Sequence, residues 1–240
     1  KALIQSSPWV MFEATAARVA ERIRSALAAG ALAAEVRAVE PLAAEERSTD
    51  LSLVSVDDAG QPKALLPIDG ETFIEKIVGA LARTRVGKII VVLGHDAETL
   101  KRRLEHLAVA FLVNADYKSG QLSSLQTAVR RLQSDQECEG MLVHLVDHPY
   151  ISSTLVDMMI ERFYASNKLI VVPRCQGKRG HPVIFSRALF AELLSAPLDQ
   201  GAKAVVHAHR DETLEIETDD AGIAVDIDTP ELYRQHVKGE

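Results

Sequence analysis

Three separated groups of residues in this chain of 240 carry side chains suited to one kind of chemistry. Asp147 closes the apolar run Met-Leu-Val-His-Leu-Val, and a carboxylate there can hold a hard divalent cation that keeps several waters and shares its coordination with phosphates. Asp226 and Asp228 stand two apart in Val-Asp-Ile-Asp-Thr-Pro, where one of them is expected to reach the same metal. Lys63, after a Gly-Gln-Pro turn, can present a point charge to a phosphate. Each has a competing role. Asp147 could cap a loop or helix, Asp228 could belong to an Asp-Thr-Pro helix start, and Lys63 could be a solvated lysine.

Other segments offer weaker chemistry. Gly177-Lys178-Arg179-Gly180-His181-Pro182 is a glycine-flanked basic turn, equally compatible with closure over an anion and with a surface hairpin. Asn114 and the run from Gly120 through Ser123 and Ser124 bring amide and hydroxyl groups to a helix start, where N–H groups welcome anions, although capping alone explains the serines. His207 and His209 lie two apart on an expected helix and make a poor metal pair. The chain has no H-E-x-x-H, no G-x-S-x-G elbow, no phosphate loop ending in Gly-Lys-Ser or Gly-Lys-Thr, and no dinucleotide fingerprint.

The elements that must position these residues follow from hydrophobic spacing. Apolar runs at 51–56, 88–93, 110–113, 141–146 and 169–172 read as buried strands, and amphipathic stretches at 72–82, 97–107, 123–132 and 154–164 read as helices. Strand and helix alternate, so the expectation is a three-layer α/β/α domain over residues 49–240 with a mostly parallel sheet. In such a sheet ligands collect beyond the carboxyl ends of the strands, where Asp57, Gly94, Asn114 and Asp147 fall. Residues 182–185, 213–217 and 223–227 read as an antiparallel edge subsheet, and Thr229-Pro230 starts a last helix. Residues 1–48 read as an alanine-rich helical arm from Ser7-Pro8 onward, a candidate homodimer or packing element.

Composition bounds the partners. The net charge of −7 gives no electrostatic footprint for nucleic acid, and the 47% apolar fraction is that of an ordinary soluble globule. No apolar run approaches the roughly 20 residues that cross a bilayer, and no hydrophobic block marks a secretory signal. Cys138 and Cys175 lie outside any C-x-x-C spacing, as buried thiols of a reducing compartment would, so the expected location is cytoplasmic. The chain opens on Lys1, as a fragment would.

Five blocks in order resemble the MobA-like nucleotidyltransferases, nearest the molybdenum cofactor cytidylyltransferases. They are Gly60-Gln-Pro-Lys63-Ala-Leu-Leu-Pro-Ile-Asp-Gly70, Val91-Val-Leu-Gly-His-Asp-Ala-Glu98, Leu145-Val-Asp-His-Pro149, Gly177-Lys-Arg-Gly-His-Pro-Val183 and Val225-Asp-Ile-Asp-Thr-Pro-Glu231. The resemblance implies a GT-A-like, nucleotide-diphospho-sugar transferase fold and transfer of NMP, CMP by the nearest branch, from an NTP such as CTP. The acceptor would be a phosphorylated small molecule such as molybdopterin, and pyrophosphate would be released. It implies Mg²⁺ held by Asp147 with Asp226 or Asp228, and Lys63 neutralising the triphosphate. Gly60, Gly94, Asn114, Ser123 and Ser124 would line the nucleotide pocket, and Gly180 and His181 the acceptor side. One departure stands out. Where the family carries L-A-A-G-x-S-x-R-x-G-x-x-K, this chain reads Val54-Ser-Val-Asp-Asp-Ala-Gly-Gln-Pro-Lys63, with carboxylates at 57 and 58 in place of phosphate-binding groups. The alternative expectation is therefore a catalytically impaired relative that binds a nucleotide, a cofactor or a partner protein.

Overall fold

A computed structural model describes residues 9–12 and 63–238 of the chain. Its strands are β1 (Trp9–Phe12), β2 (Pro67–Ile68), β3 (Glu71–Thr72), β4 (Ile89–Leu93), β5 (Ala110–Val113), β6 (Gly140–Leu145), β7 (Ile170–Cys175), β8 (Lys178–Arg179), β9 (Val183–Ser186) and β10 (Thr213–Glu217). Its helices are α1 (Phe73–Leu81), α2 (Ala97–Arg103), α3 (Gln121–Gln133), α4 (Ser153–Ala165), α5 (Phe190–Ser195), α6 (Lys203–Ala208) and α7 (Pro230–Tyr233).

Alternation along the strands makes the layers. In β4, Ile89, Val91 and Leu93 enter one core while Ile90 and Val92 enter the other; in β7, Val171 and Cys175 part in the same way from Ile170 and Val172. The first core is closed by α1 through Phe73, Ile74 and Ile77, by α4 through Val156 and Met159, and by Leu100 of α2. The second is closed by α3 through Leu122, Leu125 and Val129, by Phe190 and Leu193 of α5, and by Val205 of α6. The result is the expected three-layer α/β/α arrangement. Cys138 and Cys175 are both buried thiols. No helix among the described residues is long and apolar enough to cross a membrane.

The main sheet runs β10-β7-β9-β6-β1-β4-β5, with β8 on β7. β4 and β5 pair parallel, as do β7 and β10, whereas β1 and β9 are antiparallel to both neighbours. Followed through these pairings, β4, β5, β6, β7 and β10 point the same way, so the expected mostly parallel direction holds although antiparallel strands interleave. Three expectations need correction. Residues 183–186 pair antiparallel as expected, but between β6 and β7 in the interior of the sheet and not at its edge. Residues 213–217 form a parallel edge strand against β7, not part of an antiparallel subsheet; the long α5–α6 connection allows the crossover. Residues 223–227 form no strand: Asp220 caps a 3-10 turn, Ala221–Ala224, by accepting from the Gly222 N–H at 2.9 Å, and the chain then runs on irregularly.

Within the stretch expected to be a helical arm, Trp9–Phe12 is a strand at the centre of the sheet. Four consecutive apolar residues rich in aromatic and branched side chains suit a strand flanked on both sides. The rest of residues 1–48 and the expected strand at 51–56 lie outside the described residues.

Gly180 joins the sheet to the segment that precedes the acidic pair. Its N–H donates to the Pro173 carbonyl at 3.1 Å, and the next N–H, of His181, donates to the Ile223 carbonyl at 2.9 Å. A β-carbon at 180 would stand 2.1 Å from the Ile223 oxygen. Gly180→Ala is therefore expected to destabilise by about 3 kcal/mol, because backbone rather than a pliable side chain must yield. Denaturant unfolding would measure this, and a loss under about 0.5 kcal/mol would contradict the close approach.

Candidate functional site

The site is assembled where β6 ends. Its last residues turn sharply, the His148 N–H donating to the Leu145 carbonyl at 3.2 Å, so that Asp147 and His148 project from the edge of the first core. The Ile227 N–H donates to the Asp147 carbonyl at 2.8 Å. That main-chain bond lays the 225–229 segment along the strand end, while Ile227 itself is buried. Asp226 and Asp228, on either side of it, reach different partners. Ligand atoms of Asp147, His148 and Asp226 lie within 4.8 Å of one another, and among the described residues this is the group of His, Cys, Asp and Glu that could hold a metal ion. Asp228 instead accepts from Lys63 Nζ at 2.6 Å.

The cap roles considered for the two acids are taken by other residues. Ser152 caps α4 by accepting from the Leu155 N–H at 3.3 Å, and Thr229 caps α7 by accepting from the Leu232 N–H at 3.2 Å. Lys63 opens the 3-10 turn Lys63–Leu65, and the C-terminal segment is tied to the same region by Tyr233, whose hydroxyl donates to the Pro67 carbonyl at 2.6 Å. Two chain segments far apart in sequence thus bring a cation and an acidic pair to the end of β6.

Electrostatics separate the two carboxylates. Partial desolvation pushes the Asp226 pKa up to about 6, the neighbouring Asp228 charge and a hydrogen bond with it push the same way, and Lys63 opposes. Asp226 is exposed as a residue, so its carboxyl is only partly withdrawn from water at the rim. With a folded value above the ordinary 3.8, Asp226 takes up a proton on folding in this interval. Its contribution to stability is full below about pH 3.8 and is lost as pH rises through about 6. Thermal melts in chelator should therefore show wild type losing stability relative to Asp226→Asn between about pH 4 and 7; parallel curves would contradict the raised value.

Behind the acids stand three imidazoles. Ring centroids of His144, His148 and His181 are 5.0 to 6.4 Å apart. His144 lies between Leu142 and Val146 on the first-core face and is fully buried; its Nε2 donates to the His148 carbonyl at 2.8 Å. Burial, reinforced by the other two rings, holds its pKa well below the usual range. Burial also lowers His148 to about 4 and His181 to about 3, so all three rings are neutral at pH 7.

The remaining residues singled out in the sequence are distributed as follows. Gly60 lies outside the described residues. Gly94 is buried directly after β4. Asn114 donates to the hydroxyls of Ser123 and Ser124, each at 2.8 Å, and accepts from the Asp116 N–H at 2.9 Å. These three side chains form a buried knot that anchors the start of α3 to the end of β5. Gly180 and His181 sit against Ile223, behind the acidic pair. Lys178 and Arg179 belong to a two-residue hairpin, and Arg179 is held by Glu215, its Nε at 2.7 Å, which favours the hairpin role of this turn. His209 bridges Glu212 at 2.7 Å and Glu192 at 2.6 Å, as an ion-pairing residue and not a metal ligand. His148 was not among the expected site residues. Its signal in the sequence is its adjacency to Asp147.

Residues 58–213 match the MobA-like NTP transferase domain. A nicotine blue oxidoreductase of Paenarthrobacter nicotinovorans is 28% identical over 181 residues, covering 72% of this chain and 87% of that protein. The crystal structure of Rv0371c from Mycobacterium tuberculosis H37Rv superposes with a TM-score of 0.67 at 26% identity, over 77% of this chain and 94% of that one. A complex of Rv0371c with manganese gives 0.66 at 24%, over 78% and 96%. Molybdopterin-guanine dinucleotide biosynthesis protein A from Archaeoglobus fulgidus shares the fold, with a TM-score of 0.54 at 14% identity over 75% and 91%. With its domain match spanning well over half of the sequence and its sheet that of the nucleotide-diphospho-sugar transferases, the chain belongs to the MobA-like NTP transferase family of nucleotidyltransferases.

Proposed function

We propose that this protein transfers a nucleoside monophosphate, CMP by its resemblance to the cytidylyltransferase branch, from an NTP to a phosphorylated small-molecule acceptor of the molybdopterin type. Pyrophosphate is the second product. The observation that carries this reading is the meeting of Asp147, Asp226 and the Lys63–Asp228 pair at the end of β6.

The donor set fits a divalent cation, two carboxylates and one imidazole within reach of a single ion, with Asp147 wholly buried. Asp147 and Asp226 would hold Mg²⁺ or a similar ion, which when bound neutralises phosphate charge and orients the leaving pyrophosphate. Lys63, drawn from Asp228 toward the triphosphate, supplies the positive charge that the protein itself contributes. Asp228 then remains beside Asp226 as a proton-sharing carboxylate. The Asn114–Ser123–Ser124 knot fixes the α3 terminus that borders the nucleotide side, and Gly180 with His181 holds the backbone on which the acidic pair is mounted, on the acceptor side. Catalysis in this arrangement is positioning and charge stabilisation of an in-line displacement. Residues 49–240, completed by the Trp9–Phe12 strand, would form the catalytic domain, and the rest of residues 1–48 would be open to dimerisation; the expected cytoplasmic location is compatible with such substrates.

The test is pyrophosphate release from each NTP with Mg²⁺ or Mn²⁺ and molybdopterin or sugar-phosphate acceptors. Release with CTP and molybdopterin, absent in Asp147→Ala, is the expected result. Two outcomes replace the reading. NTP binding without turnover makes the chain the impaired binding relative suggested by its altered 54–63 loop. Redox turnover without pyrophosphate would align it with the relative named as an oxidoreductase.

A further inference from the structure

The metal group contains a ligand of a kind that neither the carboxylate reading nor the Mg²⁺ expectation uses. His148 is buried, and one ring nitrogen lies 3.9 Å from a carboxylate oxygen of Asp147. Its main chain is pinned from both sides: the N–H by the Leu145 carbonyl, and the carbonyl by His144 Nε2 at 2.8 Å. The ring is packed against His181 at 5.0 Å between centroids. Such fixing is what a first ligand requires, because little rotamer freedom is lost when the ion arrives. The mutual 4.8 Å span of the Asp147, His148 and Asp226 donor atoms closes around one ion with ligand bonds of about 2.1 Å after small side-chain rotations.

Imidazole discriminates among cations. Mg²⁺ takes oxygen donors and dehydrates reluctantly, whereas divalent transition ions accept nitrogen readily. Resting on the metal-binding reading above, we infer that His148 coordinates the cation directly through a ring nitrogen, forming a two-oxygen, one-nitrogen centre that selects Mn²⁺ and related transition ions over Mg²⁺. Asp147 and Asp226 supply charge and His148 supplies selectivity.

The experiment is pulsed electron paramagnetic resonance of the full chain loaded with Mn²⁺, which detects the ¹⁴N coupling of a coordinated imidazole whether or not the enzyme turns over. Wild type is expected to show this coupling. His148→Gln is expected to bind Mn²⁺ without it and about tenfold more weakly, with Mg²⁺ affinity changed less than about threefold, as measured by competition. His148→Asn is a second variant should the glutamine form fail to fold, and His144→Gln keeps the coupling. Mn²⁺ bound without nitrogen coupling in wild type, or coupling that persists in both His148 variants, overturns the inference while leaving carboxylate binding intact. Absence of Mn²⁺ binding by wild type overturns both the inference and the metal reading beneath it.

Discussion

Asp147→Asn is expected to lower pyrophosphate release at least about a hundredfold while leaving the fold in place, the scale on which loss of a group that stabilises transition-state charge is felt. The side chain keeps its size and loses its charge. Two of the contacts that build the local structure do not use the carboxylate: the Asp147 backbone carbonyl receives the Ile227 N–H, and Ser152 caps the helix that follows. Asparagine should therefore retain the strand end and its adjoining segment but weaken the cation. Mn²⁺ titration should show the loss directly, and a melting shift within about 4 °C, the effect of about 1 kcal/mol in a chain of this size, should accompany it. Asp226→Asn should have the smaller effect, because Asp226 is exposed at the rim and partly protonated near pH 6. If Asp147 served mainly as a structural acceptor, its replacement would instead lower stability by several kcal/mol and reduce activity only through unfolding.

Much of the scaffold was legible because burial on both faces leaves a plain mark. The apolar runs of β4, of β6 with His144 as its one polar interruption, and of the first half of β7 read as interior strands. The start of α1 at Thr72 follows from its hydrophobic spacing, and the structure adds a capping box there: Thr72 Oγ1 accepts from the Glu75 N–H at 3.3 Å and the Glu75 carboxylate accepts from the Thr72 N–H at 2.8 Å. Direction at the sheet edge was not legible: Thr213–Glu217 alternates Leu214 and Ile216 with Glu215 and Glu217, a pattern equal for parallel and antiparallel partners. Residues 223–227 misled for a related reason. Ile223 and Ile227 are buried not by a ladder but by backbone bonds to His181 and Asp147, and burial at that spacing imitates a strand. Trp9–Phe12 was too short for periodicity to distinguish strand from helix. At the site, the two acidic blocks and Lys63 could be nominated from residue type and placement, yet the partition that sends Asp226 to Asp147 and Asp228 to Lys63 depends on one main-chain hydrogen bond, from the Ile227 N–H to the Asp147 carbonyl. His148 carries no spacing signal of its own: a lone imidazole after a strand becomes a possible ligand only when the fold brings Asp226 beside it.

Lys63→Met is expected to reduce kcat/KM for the nucleotide about a hundredfold, since methionine keeps much of the apolar stem and removes only the ammonium. The ammonium has an obvious resting partner, Asp228 at 2.6 Å, so a purely structural ion pair must be separated from a phosphate-binding group. A double-mutant cycle does this. If Lys63 serves only to hold Asp228, then Asp228→Asn, Lys63→Met and the double variant will lose the same activity. If Lys63 also acts on the triphosphate, Lys63→Met loses far more than Asp228→Asn, and the double variant remains as impaired as Lys63→Met. The pH profile gives an independent readout. Lys63 opposes the upward shift of Asp226, so its removal should move that titration above about 6 and carry the acidic limb of activity upward with it. Asp228→Asn should move the same limb downward by removing the like charge. Opposite displacements from two partners of one salt bridge cannot arise from loss of packing alone, and they tie the lysine and the acidic pair to a shared electrostatic site.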